Sequence, residues 1–427
     1  MNARALRFAG TIVLLLSIYH HAAAQEWSRF RGPNGTGESE CKTIPAKWTD
    51  KDIQWKVEVP GVGHSSPVLW GDKVFLFSAN KEDATRYCLC YSATDGKELW
   101  RTAYKSKPHG LHKFSSYGSS TPAADAERVY FGWSTPEETT LLALDHDGKQ
   151  VWRKNLGRWV SQHGFGTSPI VHNGLVIVNN AQDDEAPTPT KEAPGKSFMM
   201  AFDAKTGDER WRTELKSKVC SYSVPMIREL PGGKAEIVCT NSGNGMYALD
   251  PATGEMNWSV PDCLPLRTVS SPVLAGGLLF GSCGTGQYSS NAVAAIRPGE
   301  NAAKVYELKS TNTMKAPYVP CVVKRDDMLF LFHDQGFASC IDAATGKIHW
   351  FQRTQALIMG SPIRIADKIY CIDEEGVVWV FAADKEYKVL AQNPLGEGSR
   401  STPAVANGKL FLRTYSHLFC VTRPDAT

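Results

Sequence analysis

A small residue followed by proline opens a β-rich run eight times along this 427-residue chain. The copies are Ser66-Pro67, Thr121-Pro122, Ser168-Pro169, Val224-Pro225, Ser271-Pro272, Val319-Pro320, Ser361-Pro362 and Thr402-Pro403, spaced 41 to 56 residues apart. Self-similarity at that period marks a propeller or a solenoid, because one repeat cannot bury its apolar face alone. Length by itself suggests two or three domains. The unbroken repeat replaces that reading with one continuous body.

The rest of each repeat selects the propeller. After the proline comes an apolar run, a turn and a second run, as in Val68-Leu69-Trp70-Gly71-Asp72-Lys73-Val74-Phe75-Leu76-Phe77. A third run leads through a glycine turn into a fourth that ends on an aromatic, Ala93-Thr94-Asp95-Gly96-Lys97-Glu98-Leu99-Trp100. The closing phrase returns at 144–152, 203–211, 250–258 and 342–350, while Tyr306 and Leu390 occupy the tryptophan slot of two other repeats. Four short strands with tight turns make one blade of an antiparallel meander. Helix-period segments of useful length are absent from the mature chain, so the reading is all-β. In the closing phrase Asp bonds local amides, Gly supplies a positive φ and Trp wedges against a neighbouring blade.

The eighth repeat stops at Leu418-Phe419-Cys420-Val421 without its fourth strand, and Ile53-Gln54-Trp55-Lys56-Val57-Glu58-Val59 reads as that missing strand, with Trp55 one period before Trp100. The expected fold is an eight-bladed propeller of four-stranded blades, closed by pairing an N-terminal strand with the last blade. Closure removes the open edges of a linear sheet. The domain reading is a signal peptide over 1–24, an arm over 25–47 and the propeller over 48–423.

Arg4 and Arg7, an apolar core from Phe8 to Tyr19 and Ala22-Ala23-Ala24 follow the order of a cleaved export signal. The core is too short for the roughly 20 residues that cross a bilayer, so no transmembrane helix is expected after cleavage. The expected location is periplasmic or extracellular. No cysteine follows the expected cut, which argues against a lipid anchor there. Eleven cysteines in an exported chain invite a disulfide reading. Cys90, Cys340 and Cys420 fall in a slot that alanine fills in sister repeats and read as small buried hydrophobes. Cys41, Cys220 and Cys263 lie in connecting segments and are the disulfide candidates. Cys88 and Cys90 share one face of a strand, but no second Cys/His pair follows in tandem to make a zinc site. The formal net charge is +3 and there is no long basic run, so nucleic acid is not an expected partner.

The proline strand, the Gly-Asp-Lys turn and the phrase best seen in Ala201 to Trp211, Ala248 to Trp258 and Ile341 to Trp350 resemble the PQQ-like repeats of the quinoprotein dehydrogenase-like β-propellers. The arm Trp27-Ser28-Arg29-Phe30-Arg31-Gly32-Pro33-Asn34-Gly35-Thr36-Gly37 resembles the lead-in of exported bacterial members. The resemblance covers residues 26 to about 421 and is specific for fold; such repeats build enzymes, assembly scaffolds and other secreted proteins.

Two functions follow from it. One is a dehydrogenase, for which the resemblance implies PQQ, a calcium held by acidic and amide side chains, a vicinal cysteine disulfide and an Asp base. This chain has no adjacent cysteine pair, its nearest imitation being Cys88-Leu89-Cys90, and no matching calcium set. The other, preferred, is a non-catalytic exported propeller that binds an envelope partner protein or an anionic or sugar-like ligand, with no cofactor. It resembles in fold the propeller subunit of the outer-membrane protein assembly machinery. A hydrolase or lyase site on the ring is the remaining enzyme reading, although no Ser/His/Asp or Cys/His set has diagnostic spacing. A monomer is expected.

Topology indicates where a site would lie. Segments joining the outer strand of one blade to the inner strand of the next cross one face and descend into the central channel. Those segments carry sixteen Lys and Arg against four acids, although acidic loops such as Asp373-Glu374-Glu375 share that face. The residues just before the inner strands, His64, Tyr117, His163, Tyr222, Arg267, Tyr318 and Arg400, are expected to ring the channel mouth. Cations and aromatics in a concave mouth suit an anionic or sugar-like ligand. The Pro-rich, charged run 183–195 reads as a tolerated insertion or a partner arm.

Overall fold

The computed structural model describes residues 26–286 and 290–423. The expected cleavage site and the segment before it lie outside them. Eight four-stranded antiparallel meanders surround a central axis, with no α-helix among the described residues. Blade 1 is typical, with strands Val68–Trp70, Lys73–Ala79, Arg86–Ser92 and Glu98–Tyr104 running from the axis outward. Blades 2 to 7 repeat that order. Blade 8 takes Ala404–Ala406, Lys409–Arg413 and His417–Val421 from the end of the chain, and its outer strand is Ile53–Glu58. Trp55 sits opposite Cys420 in that ladder, so the ring closes as the truncated last repeat requires.

The outer strands bulge by one residue just before an aromatic, except in blade 7, where Leu390 is the bulged residue and Ala391, not Leu390, takes the tryptophan slot. The extra residue turns the ring away from its own blade and onto the next. Trp55 donates its indole N–H to Ala93 O at 3.4 Å, and Trp100, Trp152, Trp211 and Trp350 bond the equivalent carbonyls of His146, Ala204, Pro251 and Asp384. Tyr306 reaches Ala343 O through its hydroxyl at 2.7 Å. The turn glycine is fixed by the same stacking: Gly96 has φ 75°, and a Cβ there would come within 2.7 Å of Trp55. Trp258 departs from the rule and donates to Glu236 of its own blade at 3.0 Å.

The Ser/Thr-Pro repeat has a second purpose. The backbone N–H of each such residue donates to the side chain of its counterpart in the following blade. The bonds run Ser66 to Thr121, Thr121 to Ser168, Val224 to Ser271, Ser271 to Cys321, Cys321 to Ser361, Ser361 to Thr402 and Thr402 back to Ser66, at 2.9 to 3.1 Å. This belt circles the axis with one gap, between Ser168 and Val224, because valine has no acceptor. It also corrects the repeat in blade 6. Cys321-Val322, not Val319-Pro320, occupies the slot, since the innermost strand there begins at Val323.

The arm closes one end of the channel. Trp27 exchanges backbone bonds with Leu69 of blade 1, and Ser28 O accepts from Ala124 N of blade 2. The Arg29 guanidinium bonds Pro225 O, and Asn34 forms a two-bond pair with Ile227, both in blade 4. Arg31 reaches Val322 O in blade 6 at 2.8 Å, and Glu38–Ser39 adds a parallel strand to blade 7. The chain thus crosses the axis from one side of the ring to the other. Tight positive-φ turns make this possible: a Cβ on Gly32, φ 65°, would strike the Trp27 ring at 2.4 Å.

All eleven cysteines are free, which overturns the disulfide candidates. Cys220 is enclosed with Ser161 and Tyr222, its thiol 3.1 Å from the Tyr222 hydroxyl. Cys263 accepts Met246 N–H at 3.2 Å, and Cys41 lies beside the Thr43 hydroxyl. Cys88 and Cys90 are wholly buried between blades 1 and 2. The run 183–195 is pinned at its base, where Asp183 and Asp184 accept the backbone N–H groups of Cys220 and Ser217, each at 2.7 Å. Among the described residues no helix is long and apolar enough to cross a membrane.

Candidate functional site: a blind cup on the propeller axis

With the arm across one end, the axial channel becomes a cup of about 470 Å³ open only at the mouth. That volume falls in the range of small-ligand sites. Phe30 of the arm forms the floor, and the belt residues Ser66, Thr121, Ser168, Val224, Cys321, Ser361 and Thr402 line the lower wall. Except for Val224, their side-chain oxygen or sulfur atoms each accept a belt N–H, so what the lower cup presents is mainly carbon with a few hydroxyl donors.

The rim is polar and divides into two arcs. In the first, Arg267 Nη1 donates to His163 Nε2 at 3.0 Å and lies 3.4 Å from the Tyr318 hydroxyl. A guanidinium can only donate, so His163 Nε2 carries the lone pair and Nδ1 the proton, which faces Ser115 Oγ at 3.3 Å. Burial, then the Arg267 charge, hold the His163 imidazole down to about 3. It is a fixed neutral acceptor that aims the guanidinium. Burial likewise drives the Tyr222 and Tyr318 phenols up, so both remain neutral hydroxyls. Among the described residues no carboxylate lies within ion-pair distance of Arg267.

The second arc is neutralised. Arg400 pairs with Glu374 at 2.7 Å, donates to Phe114 O and covers the Phe114 ring at 4.5 Å. Asp334 completes this side, its carboxyl raised to about 6 by burial, with Glu374 adding to the rise. His64 sits below with its imidazole held to about 3 by burial and by Arg400. The connection 105–116 straddles both arcs: His112 N donates to Gln162 O at 3.0 Å, and its ring lies 4.6 Å from that of His163.

Of the residues expected at the mouth, His64, His163, Tyr222, Arg267, Tyr318 and Arg400 line this one cup. Tyr117 does not. Its hydroxyl is held by the backbone of His109, and its ring lies under Arg86 at 4.6 Å. The reading by position alone missed His112, Phe114, Gln162, Asp334 and Met359, which also line it. One signal was available for the first two: 101–118 is the longest of the blade-to-blade connections, with chain to spare for an overhang. Part of the basic surplus of the mouth segments is paired, as in Arg400 with Glu374 and Arg158 with Glu192.

The family model described as "Outer membrane protein assembly factor BamB" matches residues 84–191, 193–386 and 309–420. The chain belongs to this family. The BamB of Burkholderia pseudomallei is 23% identical over 393 residues, which span 88% of this chain and 90% of that protein. Among solved structures, the BamB of Moraxella catarrhalis superposes with a TM-score of 0.60 at 14% identity, covering 87% of this chain and 98% of that one. A europium-containing methanol dehydrogenase gives 0.65 at 12% identity, covering 93% and 98%. Both structural likenesses speak for the propeller fold alone.

The dehydrogenase side of that fold implies a quinone and a metal, and the donor chemistry of this cup does not fit them. Asp334 is the carboxylate in the wall, Glu374 is held by Arg400, and among the described residues no three His, Cys, Asp or Glu side chains converge as a metal set. The thiol in the wall, Cys321, is engaged in the belt with no neighbouring cysteine beside it in sequence. No step is derived through either group.

Proposed function

We propose that this chain is an exported, non-catalytic propeller scaffold of the cell envelope that holds a partner protein against its mouth face. The observation that carries the reading is the blind cup with one guanidinium, Arg267, that has no carboxylate at ion-pair distance and is aimed by His163 and Tyr318. A single oriented cation above an apolar floor suits recognition of one anionic group on a larger body. Family membership supports the same reading, because the matching family model and the Burkholderia pseudomallei relative, which spans 88% of this chain, carry the name of an assembly factor. Of the groups that would do acid–base work, His64 and His163 are displaced downward and Tyr222 and Tyr318 upward, which leaves Asp334, raised to about 6, as a lone candidate. General catalysis favours groups near the working pH.

The experiment is photo-crosslinking in the native envelope from a probe placed at Leu357 on the mouth and from one at Lys347, in a turn at the opposite end. A protein adduct formed at Leu357 and not at Lys347 is the expected result. Adducts at neither position, together with turnover of an artificial electron acceptor when PQQ, calcium and an alcohol are supplied, would replace the scaffold with the dehydrogenase.

A further inference from the structure

The cup does not end at its rim. Phe114, Asp334 and Met359 belong both to its wall and to a neighbouring open groove of about 480 Å³, which continues over blades 6 and 7 between Phe337, Arg353, Leu357 and Glu374. Phe114 and Leu357 are 41% and 44% exposed, and are the large apolar side chains left bare on the mouth face among the described residues. The other exposed ones, Leu99, Val151, Met256, Val305 and Ile348, lie on outer strands at the rim of the disc. The groove is not uniformly greasy. Phe337 is stacked on Phe351 with the Arg353 and Lys315 cations over it, and the Arg400–Glu374 pair forms its inner bank.

We infer that cup and groove are one bipartite site for the free C-terminal end of an extended, apolar peptide segment, with its terminal carboxylate on Arg267 and its last side chains along Phe114 and Leu357. This rests on the scaffold reading above and specifies what the partner presents. Three features select that ligand. The cup is blind, closed by Phe30, so a chain that enters must end there. The charge of the cup is asymmetric: Arg267 has no carboxylate at ion-pair distance whereas Arg400 is neutralised by Glu374, and in the groove the Arg353 and Lys315 cations lie over the Phe337 ring, so the cup matches one anionic group. A guanidinium held by His163 and Tyr318 presents its remaining N–H groups in a fixed fork, the geometry that suits a planar carboxylate. Alternating apolar and polar groove walls accommodate side chains and peptide amides together, which an all-hydrocarbon tail would not use. Residue 26 is bonded to Gly71 at the far end of blade 1, so the arm leaves this face unobstructed.

The test uses the full mature protein and fluorescein-labelled octapeptide pools rich in Phe, Leu and Val, each made as the free acid and as the C-terminal carboxamide. Expected are binding of the free acid, a loss of roughly tenfold to a hundredfold on amidation, and the same loss for the free acid against Arg267→Gln. The carboxamide should not distinguish Arg267→Gln from wild type, because both changes remove one interaction. Leu357→Asp should weaken both peptide forms. Amidation leaves the protein untouched, so the carboxylate contribution is read even if a variant folds poorly. Equal binding of acid and amide overturns the carboxylate anchor while leaving the crosslinking result, and with it the scaffold reading, standing. No binding of either form up to about 1 mM, or capture of acidic oligosaccharides in their place, overturns the peptide assignment.

Discussion

The two ends of the axial channel are built from the same eight inner strands and have opposite fates. At one end the chain's own arm crosses the axis, and its polar groups are consumed by the ring: Arg29 and Arg31 are buried and bonded to backbone carbonyls of Pro225 and Val322. Burial drags the Arg29 guanidinium down to about 9, a cost tolerated because the arm ties distant blades together. At the other end the polar groups bond one another around the cup and stay part-buried. The difference teaches that symmetry fixes the wall while occupancy fixes the role. A segment supplied from within makes a structural plug, and its absence leaves an open cup.

The largest perturbation of that contrast is removal of the arm and closing strand together. A chain starting at Val62 loses the plug, the cup floor and the outer strand of blade 8, a deficit comparable with a whole domain stability of roughly 5 to 15 kcal/mol. It is expected not to show a cooperative melt in calorimetry; an unchanged melting temperature would refute closure by residues 53–58. Next is Trp27→Ala, which empties a fully buried site and should cost ~3–5 kcal/mol in urea unfolding. A belt change is smaller. Ser66→Ala strands the buried N–H of Thr402, at a cost of about 1–3 kcal/mol, whereas Cys321→Ser keeps an acceptor and should be close to neutral.

At the mouth the ranking reverses between stability and binding. Arg267→Gln should shift unfolding by less than about 1 kcal/mol while removing anion binding; Arg400→Gln should change binding less, since that cation is already paired. The finest effect is in pH. Asp334 has its carboxyl raised to about 6 by burial, with Tyr318 N–H, Glu374, His333 and Lys315 around it. Below that value it is neutral and the cup more positive; above it an anion faces the ligand. Affinity for an anionic probe should therefore fall as pH rises through about 6, and Asp334→Asn should flatten the profile. His64 and His163, held to about 3, remain neutral across that window and add no slope. A slope surviving in Asp334→Asn would assign it elsewhere.

What the sequence revealed follows the same division. The wall was legible because each repeat encodes a contact with its neighbour: the hydroxyl before proline, the glycine under the next tryptophan, the unmatched strand at 53–59. Where a repeat slips, as at Val319-Pro320-Cys321, alignment by dipeptide placed it two residues early, and the belt bond from Ser271 reveals the proper slot. The site was legible by position and not by orientation. His64, His163, Tyr222, Arg267, Tyr318 and Arg400 fall where ring geometry puts them, but Tyr117 turns away to Arg86, a partner supplied by another strand. Neutralisation of Arg400 by a loop residue, Glu374, depends on a contact that no repeat specifies. The arm was recognised as a phrase, while its path across the axis depends on consecutive left-handed turns at Arg31, Gly32 and Asn34 that spacing does not announce.

The closing ladder also sets an order in time. Gln54 and Cys420, neighbours in blade 8, are 366 positions apart. The entropy of closing a loop grows only as the logarithm of its length, so this distance is a modest thermodynamic burden. Its kinetic meaning is greater. Seven blades can be translated and paired before the partner of residues 53–58 exists; in that interval Ile53–Glu58 presents an unpaired edge, and the last blade presents another from its synthesis until the two meet. In pulse-labelled refolding this ladder should be the last to gain amide protection, and protection preceding that of blades 2 to 6 would contradict the sequence of events. A ring sealed by its first strand has its most vulnerable moment just before completion.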